Sequence, residues 1–160
     1  MNNRSSQEKL LSQAVGFYKE QSEALRDAIG GGDVEGALQH SISLANELRT
    51  TLLHPENYYK LYTLITWELQ HLAQFLADQE LNGVNLETVY DIVQHEGNVL
   101  PRMYLLITVG IARMLLHPEQ GSEVLSDLCS MVETVQHPIR GLFLRHYLLR
   151  MCKDKLQMVD

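Results

Sequence analysis

Seven histidines and two cysteines are the side chains of this chain with chemistry suited to metal binding or nucleophilic attack. Glu68 and His71 have the Glu-x-x-His spacing of di-iron helical bundles, which also need a second copy of the motif and two further carboxylates on facing helices. The sequence has no second copy, so an ordinary pair on a helix surface explains these two residues better. Cys129 and Cys152 lack the close spacing of a structural zinc site. We therefore predict no metal site and no cofactor.

Catalytic groups are equally sparse. Cys129 and His137 could be a nucleophile and a base, but no third group to orient the base and no oxyanion-binding loop is recognisable. Three histidines (His54, His117 and His137) directly precede prolines at helix entries, where an imidazole can act as a cap. The two cysteines are expected to be reduced and to pack in the core. The sequence therefore predicts no enzyme.

Arg102 is the charged residue whose position most needs an explanation. Pro101 is expected at the first position of a helix, where its missing N–H costs nothing. The helix after it carries no charge until Arg113 and should be buried on all sides. A cation in the first turn opposes the helix dipole, so it needs a carboxylate, exposed carbonyl groups or a partner protein. We expect its polar partner to lie outside this helix, and we favour a partner protein.

The composition is that of one globular domain, with 160 residues, 45% of them hydrophobic and 21% charged. The net charge of -7, without a basic stripe, makes nucleic acid or an anionic bilayer a poor candidate ligand. Met1–Lys9 is too polar for a secretory signal, and the longest apolar run, Met103–Ala112, is about half a membrane span. We expect a cytoplasmic protein in which residues 1–6 are disordered.

Apolar residues recur at helical spacing along the whole chain, without strand-like alternation. The pattern predicts seven helices, and all four prolines are expected to open one. The first helix ends at Gly30–Gly32, the second is capped by Asp33 and reaches about Leu52, the third opens at Pro55, the fourth covers Leu86–His95, and the others open at Pro101, Pro118 and Pro138.

Short links between these helices force neighbours to be antiparallel, so the chain should form successive hairpins. A closed bundle and a stacked solenoid both satisfy this requirement. The seventh helix keeps a broad apolar face with no polar capping helix after it. That face favours a solenoid, cut from a longer protein, with residues 1–160 as one helical-repeat domain.

Two groups of residues are candidates for protein contacts. Tyr58 and Tyr59 cannot both face the core, so one tyrosine is expected to line a groove or interface. Arg140 and Arg145 are either the solvated side of the seventh helix or a basic ridge for an acidic partner. We regard these arginines as a possible second interaction surface.

Two longer strings are similar to signatures of one known family. Pro101-Arg102-Met103-Tyr104-Leu105, with its continuation to Gly110, closely resembles the Pro-Arg-Leu-Tyr-Leu signature of the large scaffold subunit of retromer. The string from Val135 to Arg145 resembles that family's second signature. Weaker matches, such as Glu47-Leu48-Arg49 and the stretch from Tyr90 to Asn98, follow the same order along nearly the whole chain. Met103 replaces the usual leucine, which conserves volume, and His146 replaces the usual asparagine.

The resemblance implies an all-α solenoid of HEAT-like helix pairs, with this chain as its N-terminal segment and a non-enzymatic scaffold role. It implies that the arrestin-like subunit of retromer binds at Asn98, Pro101, Arg102, Met103, Tyr104 and Leu105. Sorting nexins, a Rab GTPase and cargo tails are the further implied partners, on endosomes and with membrane contact only through partners. The alternatives are a generic helical-repeat module that binds peptides and a helical-bundle metal protein built around Glu68 and His71.

Overall fold

A computed structural model describes residues 3–156 of the chain, and this part consists of seven α-helices and two short 3-10 turns, without any β-strand. The all-α prediction is therefore confirmed. The helices are α1 (Asn3–Gly30), α2 (Val34–Asn46), α3 (Pro55–Leu81), α4 (Leu86–Gln94), α5 (Val99–Leu116), α6 (Gly121–Val132) and α7 (Pro138–Leu156). The 3-10 turns are Glu47–Arg49 and Pro118–Gln120.

Helix starts follow the local chemistry of their first residues. The Asp33 carboxylate accepts a hydrogen bond from the Gly36 N–H at 3.0 Å and caps α2, as predicted. Pro55 and Pro138 are the first residues of α3 and α7, which is also as predicted. Pro118 instead opens a 3-10 turn, and α6 begins after it. Prolines thus mark entries into helical structure without fixing which kind of helix follows.

Two further predictions, the end of α2 and the disorder of residues 1–6, also differ from the structure. α2 ends at Asn46 because the chain tightens into the 47–49 turn, which keeps Leu48 buried and leaves Leu52 63% exposed. Residues 3–6, expected to be disordered, are helical and belong to α1. An i,i+4 ion pair between Arg4 and Glu8, 3.5 Å long, supports this first turn. Residues 1 and 2 lie outside the described residues.

α5 is the centre of the packing and contacts α2, α3, α4, α6 and α7. Every residue of the stretch Leu100–Ala112 is buried except Arg102, which confirms the prediction of a helix buried on all sides. Gly110 lets α6 come close, because a Cβ there would lie 3.1 Å from a methyl of Leu128 and 3.2 Å from one of Val124. Within the described residues α5 alone has the length and apolarity to cross a membrane, yet 72% of it is buried, as in a core helix.

Three tyrosines with buried side chains lie on α5 or on the helices packed against it. The Tyr58 hydroxyl donates to the Leu48 carbonyl at 2.7 Å, and it thereby holds the 47–49 turn against α3. The Tyr147 hydroxyl lies 2.6 Å from the Thr108 hydroxyl of α5. The hydroxyl of Tyr104 has no hydrogen-bond partner among the described residues. Burial raises the pKa of all three tyrosines well above the usual value, so they stay neutral.

A buried polar cluster joins α1 to α3. Glu68 is 1% exposed and accepts hydrogen bonds from the Tyr18 hydroxyl at 2.8 Å and from the Arg26 guanidinium at 2.7 Å. The prediction that Glu68 and His71 form an ordinary surface pair is therefore wrong. Only His71 is exposed, and it packs edge-on against the Trp67 ring at 5.0 Å. Periodicity did not reveal this cluster because its partners lie on a different helix.

The hydroxyl of Tyr58 is hydrogen-bonded and that of Tyr104 is not, so removing each oxygen atom should affect stability differently. Tyr58→Phe should lower the free energy of unfolding by about 1–3 kcal/mol, because it leaves the buried Leu48 carbonyl without its donor. Tyr104→Phe should be neutral or slightly stabilising, because no partner among the described residues loses a hydrogen bond. Urea unfolding of both variants checks this, and a larger loss for Tyr104→Phe than for Tyr58→Phe would contradict it.

Alkaline pH should weaken the α1–α3 cluster. Burial, together with the hydrogen bond to Glu68, raises the pKa of Tyr18 from 10.0 to about 12. The neutral hydroxyl therefore stabilises the fold fully below pH 10, and this contribution is lost as the pH rises through about 12. Tyr18→Phe should be less stable near neutral pH but should lose stability less steeply over this range. Urea unfolding at stepped pH values measures both slopes, and parallel slopes would show that Tyr18 is not linked to folding.

Candidate partner-binding site

Arg102 lies in the first turn of α5, close to where the helix emerges from the core. α5 begins at Val99, with Asn98 as its N-cap residue. Pro101 is therefore the third residue of the helix, and the prediction that it would be the first is wrong. The first three N–H groups of a helix have no partner within it, so proline is equally tolerated there. The Arg102 N–H donates to the Asn98 carbonyl at 3.1 Å and begins the helical hydrogen bonding.

The Arg102 guanidinium is half-buried and bonds to a neutral acceptor. Its Nη1 donates to the Glu96 backbone carbonyl at 3.0 Å. Within the described residues no carboxylate oxygen lies within 4.0 Å of it. Of the partners that the sequence allowed, the structure thus provides a backbone carbonyl group and, among the described residues, no ion pair. The half-buried guanidinium keeps a positive charge that no carboxylate of the described residues balances directly.

The other residues of the signature are mostly inaccessible. Met103 is 7% exposed, and Pro101, Tyr104 and Leu105 are also buried. These four side chains are buried in the core around α5, where they fix the position of the helix start. Asn98 is exposed. The structure therefore separates the six predicted residues into two that a partner can touch, Arg102 and Asn98, and four that hold them in place.

A polar connection extends from Asn98 to the 47–49 turn. The Asn98 side-chain amide donates to the Asn46 side-chain oxygen at 3.2 Å, and Arg49 donates to the same oxygen at 3.3 Å. Neither Asn46 nor Arg49 was predicted as a site residue. A second helix that continued to Leu52, as predicted, would have left both residues on an ordinary helix face. The Glu47-Leu48-Arg49 string was the available signal.

The structure places Arg140 and Arg145 against different neighbours. Arg140 donates to the backbone carbonyl of Arg49, and its Nε is buried without a partner among the described residues. Arg145 lines a groove between α6 and α7. Through Arg49 and Asn46, Arg140 is connected to Asn98.

The second signature string packs α7 into the fold. A Cβ on Gly141 would lie 2.7 Å from the Val135 carbonyl oxygen, so only glycine lets the first turn of α7 fold against the preceding chain. The Phe143 ring lies 5.3 Å from the Tyr58 ring and 4.9 Å from the Tyr62 ring. Much of this string is therefore structural.

Tyr59 and Trp67 form the exposed side of α3. Tyr58 is 1% exposed and Tyr59 is 48% exposed, as expected for neighbours that cannot both face inward. Trp67 is 56% exposed, because its neighbours Thr66 and Glu68 take the inward positions on α3.

The histidines that precede prolines behave differently from one another. His137 caps α7, because its Nδ1 accepts a hydrogen bond from the Arg140 N–H at 3.2 Å. His54 makes no side-chain cap bond. His117 makes none either, and its Nε2 lies 2.8 Å from the Glu80 carboxylate. In the part of the chain that the structure describes, no three His, Cys, Asp or Glu side chains are grouped to hold a metal ion.

Both cysteines line the groove between α6 and α7 that Arg145 also lines, and this groove has a volume of about 400 Å³. Both are free thiols, Cys152 buried and Cys129 exposed. The core prediction therefore holds for Cys152 and is wrong for Cys129, which faces outward from α6. Burial, and to a smaller extent the neighbouring Cys129, raise the pKa of the Cys152 thiol.

Seven helices, joined by short turns and packed around the buried α5, make the described part of the chain an all-α helical protein. Residues 10–160 match the family described as vacuolar protein sorting-associated protein 35, Vps35. The chain belongs to the Vps35 family, and the resemblance drawn from the two signature strings is confirmed.

Vps35 proteins from distant organisms align with nearly the whole chain. Vacuolar protein sorting-associated protein 35 of Dictyostelium discoideum is 41% identical over 154 residues, which are 96% of this chain and 20% of that protein. Protein 35C of Arabidopsis thaliana is 38% identical over 152 residues, covering 95% and 19%. The Schizosaccharomyces pombe protein is 38% identical over 150 residues, covering 92% and 18%. The chain thus spans about a fifth of the length of the curated relatives it matches.

Exposure predicts that the two cysteines react at different rates with a thiol reagent. Cys129 should be alkylated quickly in the folded protein, whereas Cys152 should react at least about tenfold more slowly, since it is buried and its thiol pKa is raised. Iodoacetamide labelling followed by mass spectrometry checks this. Cys129→Ser should remove the fast reaction, and the matched variant Cys152→Ser should retain it. Equal rates for both thiols would contradict the assignment.

Proposed function

We propose that this chain is part of a non-enzymatic scaffold subunit of the retromer complex. In this role it binds the arrestin-like subunit of that complex and supports retrieval of cargo from endosomes to the Golgi or the plasma membrane. Membership of the Vps35 family, whose relatives are named for vacuolar protein sorting, supports the assignment to protein transport. The two signature strings support the specific complex.

The state of Arg102 is the observation that carries the binding site. It is the one side chain between Leu100 and Ala112 that is not buried, and it bonds to a backbone carbonyl and not to a carboxylate. An arginine at the end of a rigid, buried helix has little backbone freedom left to lose when a partner binds, so the entropic cost of binding is small. Arginines in such settings are enriched among residues that dominate binding energy.

Asn98 and Val99 supply the neighbouring contact area. Asn98 is exposed, and Val99, the first residue of α5, is 48% exposed. An exposed apolar group beside a guanidinium and an amide is a suitable combination for a protein partner, because interfaces bury apolar area around a few directional polar contacts. Met103, Tyr104 and Leu105 are buried and contribute indirectly, because they fix the position of the helix start.

Further partners of this scaffold are sorting nexins, a Rab GTPase and cargo tails. In this proposal the protein acts in the cytoplasm, on the surface of endosomes, and its membrane contact is made through these partners. The net charge of -7 supports indirect attachment, because an acidic chain is repelled by anionic lipid head groups.

Arg102→Ala should separate binding from folding. The fold should change little, because the lost contact is one hydrogen bond from a half-buried group to a carbonyl. Binding of the arrestin-like subunit should weaken by about 2 kcal/mol or more, which is about 30-fold in Kd. Arg102→Lys should restore little, since an ammonium cannot offer a planar, two-pronged set of donors. Calorimetric titration and thermal unfolding measure the two effects.

Arg113→Ala is the matched control, because Arg113 is a half-buried arginine in the last turn of the same helix and lies 5.2 Å above the Tyr90 ring. This variant should bind the arrestin-like subunit normally. An Arg102→Ala protein that melts normally and binds with full affinity would refute the proposed site.

A further inference from the structure

We propose that Arg49 and Arg140 extend the Arg102 site into one basic edge that binds an acidic segment of a partner protein. The basic edge consists of Arg102, Asn98, Asn46, Arg49 and Arg140. It is formed where the first turn of α5, the 47–49 turn and the first turn of α7 meet. The two interaction surfaces that the sequence suggested separately thereby become continuous through Arg140.

Hydrogen bonds connect the elements of the basic edge in sequence. Arg102 donates to the Glu96 carbonyl at 3.0 Å, and the Asn98 N–H donates to the Glu96 carboxylate at 3.4 Å. The Asn98 amide reaches Asn46 at 3.2 Å, and Asn46 also accepts from Arg49 at 3.3 Å. Arg140 then donates to the Arg49 carbonyl. These contacts fix the relative positions of three guanidinium groups that come from three separate elements.

The charges of the basic edge are not neutralised by the described part of the chain. There, Arg4, Arg26 and Arg150 form ion pairs with carboxylates. Within the same residues Arg102, Arg49 and Arg140 have no carboxylate oxygen within 4.0 Å and bond only to amide and carbonyl oxygens. Arg113 and Arg145 also form no ion pair among the described residues, so what distinguishes the basic edge is that hydrogen bonds link three unpaired arginines, in a chain with 20 acidic and 13 basic residues.

The nearby acidic residues form no ion pair with these arginines. Glu96 binds the Asn98 N–H through one carboxylate oxygen and lies beyond ion-pair distance of Arg102. Glu47, although next to the edge in sequence, lines a groove with Leu10 and Gln13 of α1. Burial raises the pKa of the Glu47 carboxyl, consistent with its position away from the solvated edge.

The same charge distribution favours an acidic polypeptide over an anionic membrane. A bilayer surface interacts with a large part of the protein, and the net charge of -7 opposes that approach. A short acidic segment interacts within about one Debye length, about 10 Å at 0.1 M salt, and therefore mainly with the three arginines of the basic edge and with the nearby Glu96. Arginine forks also suit the planar carboxylates of Asp and Glu side chains.

Arg49 is the residue that tests the basic edge without disturbing the fold. Its side chain is exposed, and its backbone carbonyl, which substitution leaves in place, is what holds Arg140. Arg150→Gln is the matched control, because Arg150 is an exposed arginine paired with Asp154 on α7 and the charge change is identical. Arg140→Gln serves as a second variant, with thermal unfolding to separate binding from loss of the α7 contact.

The inference shares Arg102 with the proposed function, so two probes are needed. One is the arrestin-like subunit, and the other is a fluorescent deca-glutamate peptide, measured by anisotropy at low and at physiological salt. Arg49→Gln should weaken peptide binding about two- to fivefold, with a larger effect at low salt, while Arg150→Gln should not. Vesicles of phosphatidylcholine and phosphatidylserine are tested in parallel.

Each outcome discriminates between the two proposals. Weaker peptide binding by Arg49→Gln, with no effect of Arg150→Gln, supports the basic edge even if Arg102→Ala leaves the arrestin-like subunit bound. Loss of that subunit on Arg102→Ala, with unchanged peptide binding by Arg49→Gln, overturns the basic edge and leaves the proposed function standing. Equal effects of Arg49→Gln and Arg150→Gln, or an Arg49 effect confined to vesicles, also overturn it.

Discussion

The burial of α5 on every side is the constraint on which the rest of this structure depends. Five other helices contact it, and Gly110 removes the side chain that would keep α6 away. A helix held in this way has almost no freedom to shift or rotate. The arginine in its first turn is therefore positioned by apolar packing that extends through the whole domain. Surface function and core stability are joined in a single element.

Polar groups define how the other helices are arranged around that centre. Glu68 joins α3 to α1 through a hydroxyl and a guanidinium, and Tyr58 joins α3 to the 47–49 turn. Buried polar groups are costly unless they are hydrogen-bonded, so these contacts favour one arrangement over alternative packings of similar apolar area. The same turn then carries Arg49 to the surface beside Asn98. The basic edge is thus a consequence of how the core is fixed.

Helix identity was largely predictable from the sequence, because apolar spacing and proline positions are local signals. The cap at Asp33 and the burial of α5 followed from such signals and are confirmed. The end of α2, the buried state of Glu68 and the exposed state of Cys129 did not follow. Each of these depends on which helix lies opposite, and a single sequence does not specify that. The site showed the same division: Arg102 was recognisable from its conflict with the helix dipole, whereas Asn46 and Arg49 became visible only when the chain was folded.

Hydrogen–deuterium exchange of the chain, with and without the arrestin-like retromer subunit, tests the central claim most directly. The account predicts slower exchange on binding at backbone amides in two segments, residues 95–102 and 46–50, because the partner covers the start of α5 and the adjoining turn. It also predicts little change in the interior of α5, which is already buried. Unchanged exchange in both segments, with protection confined to the groove between α6 and α7, would contradict it.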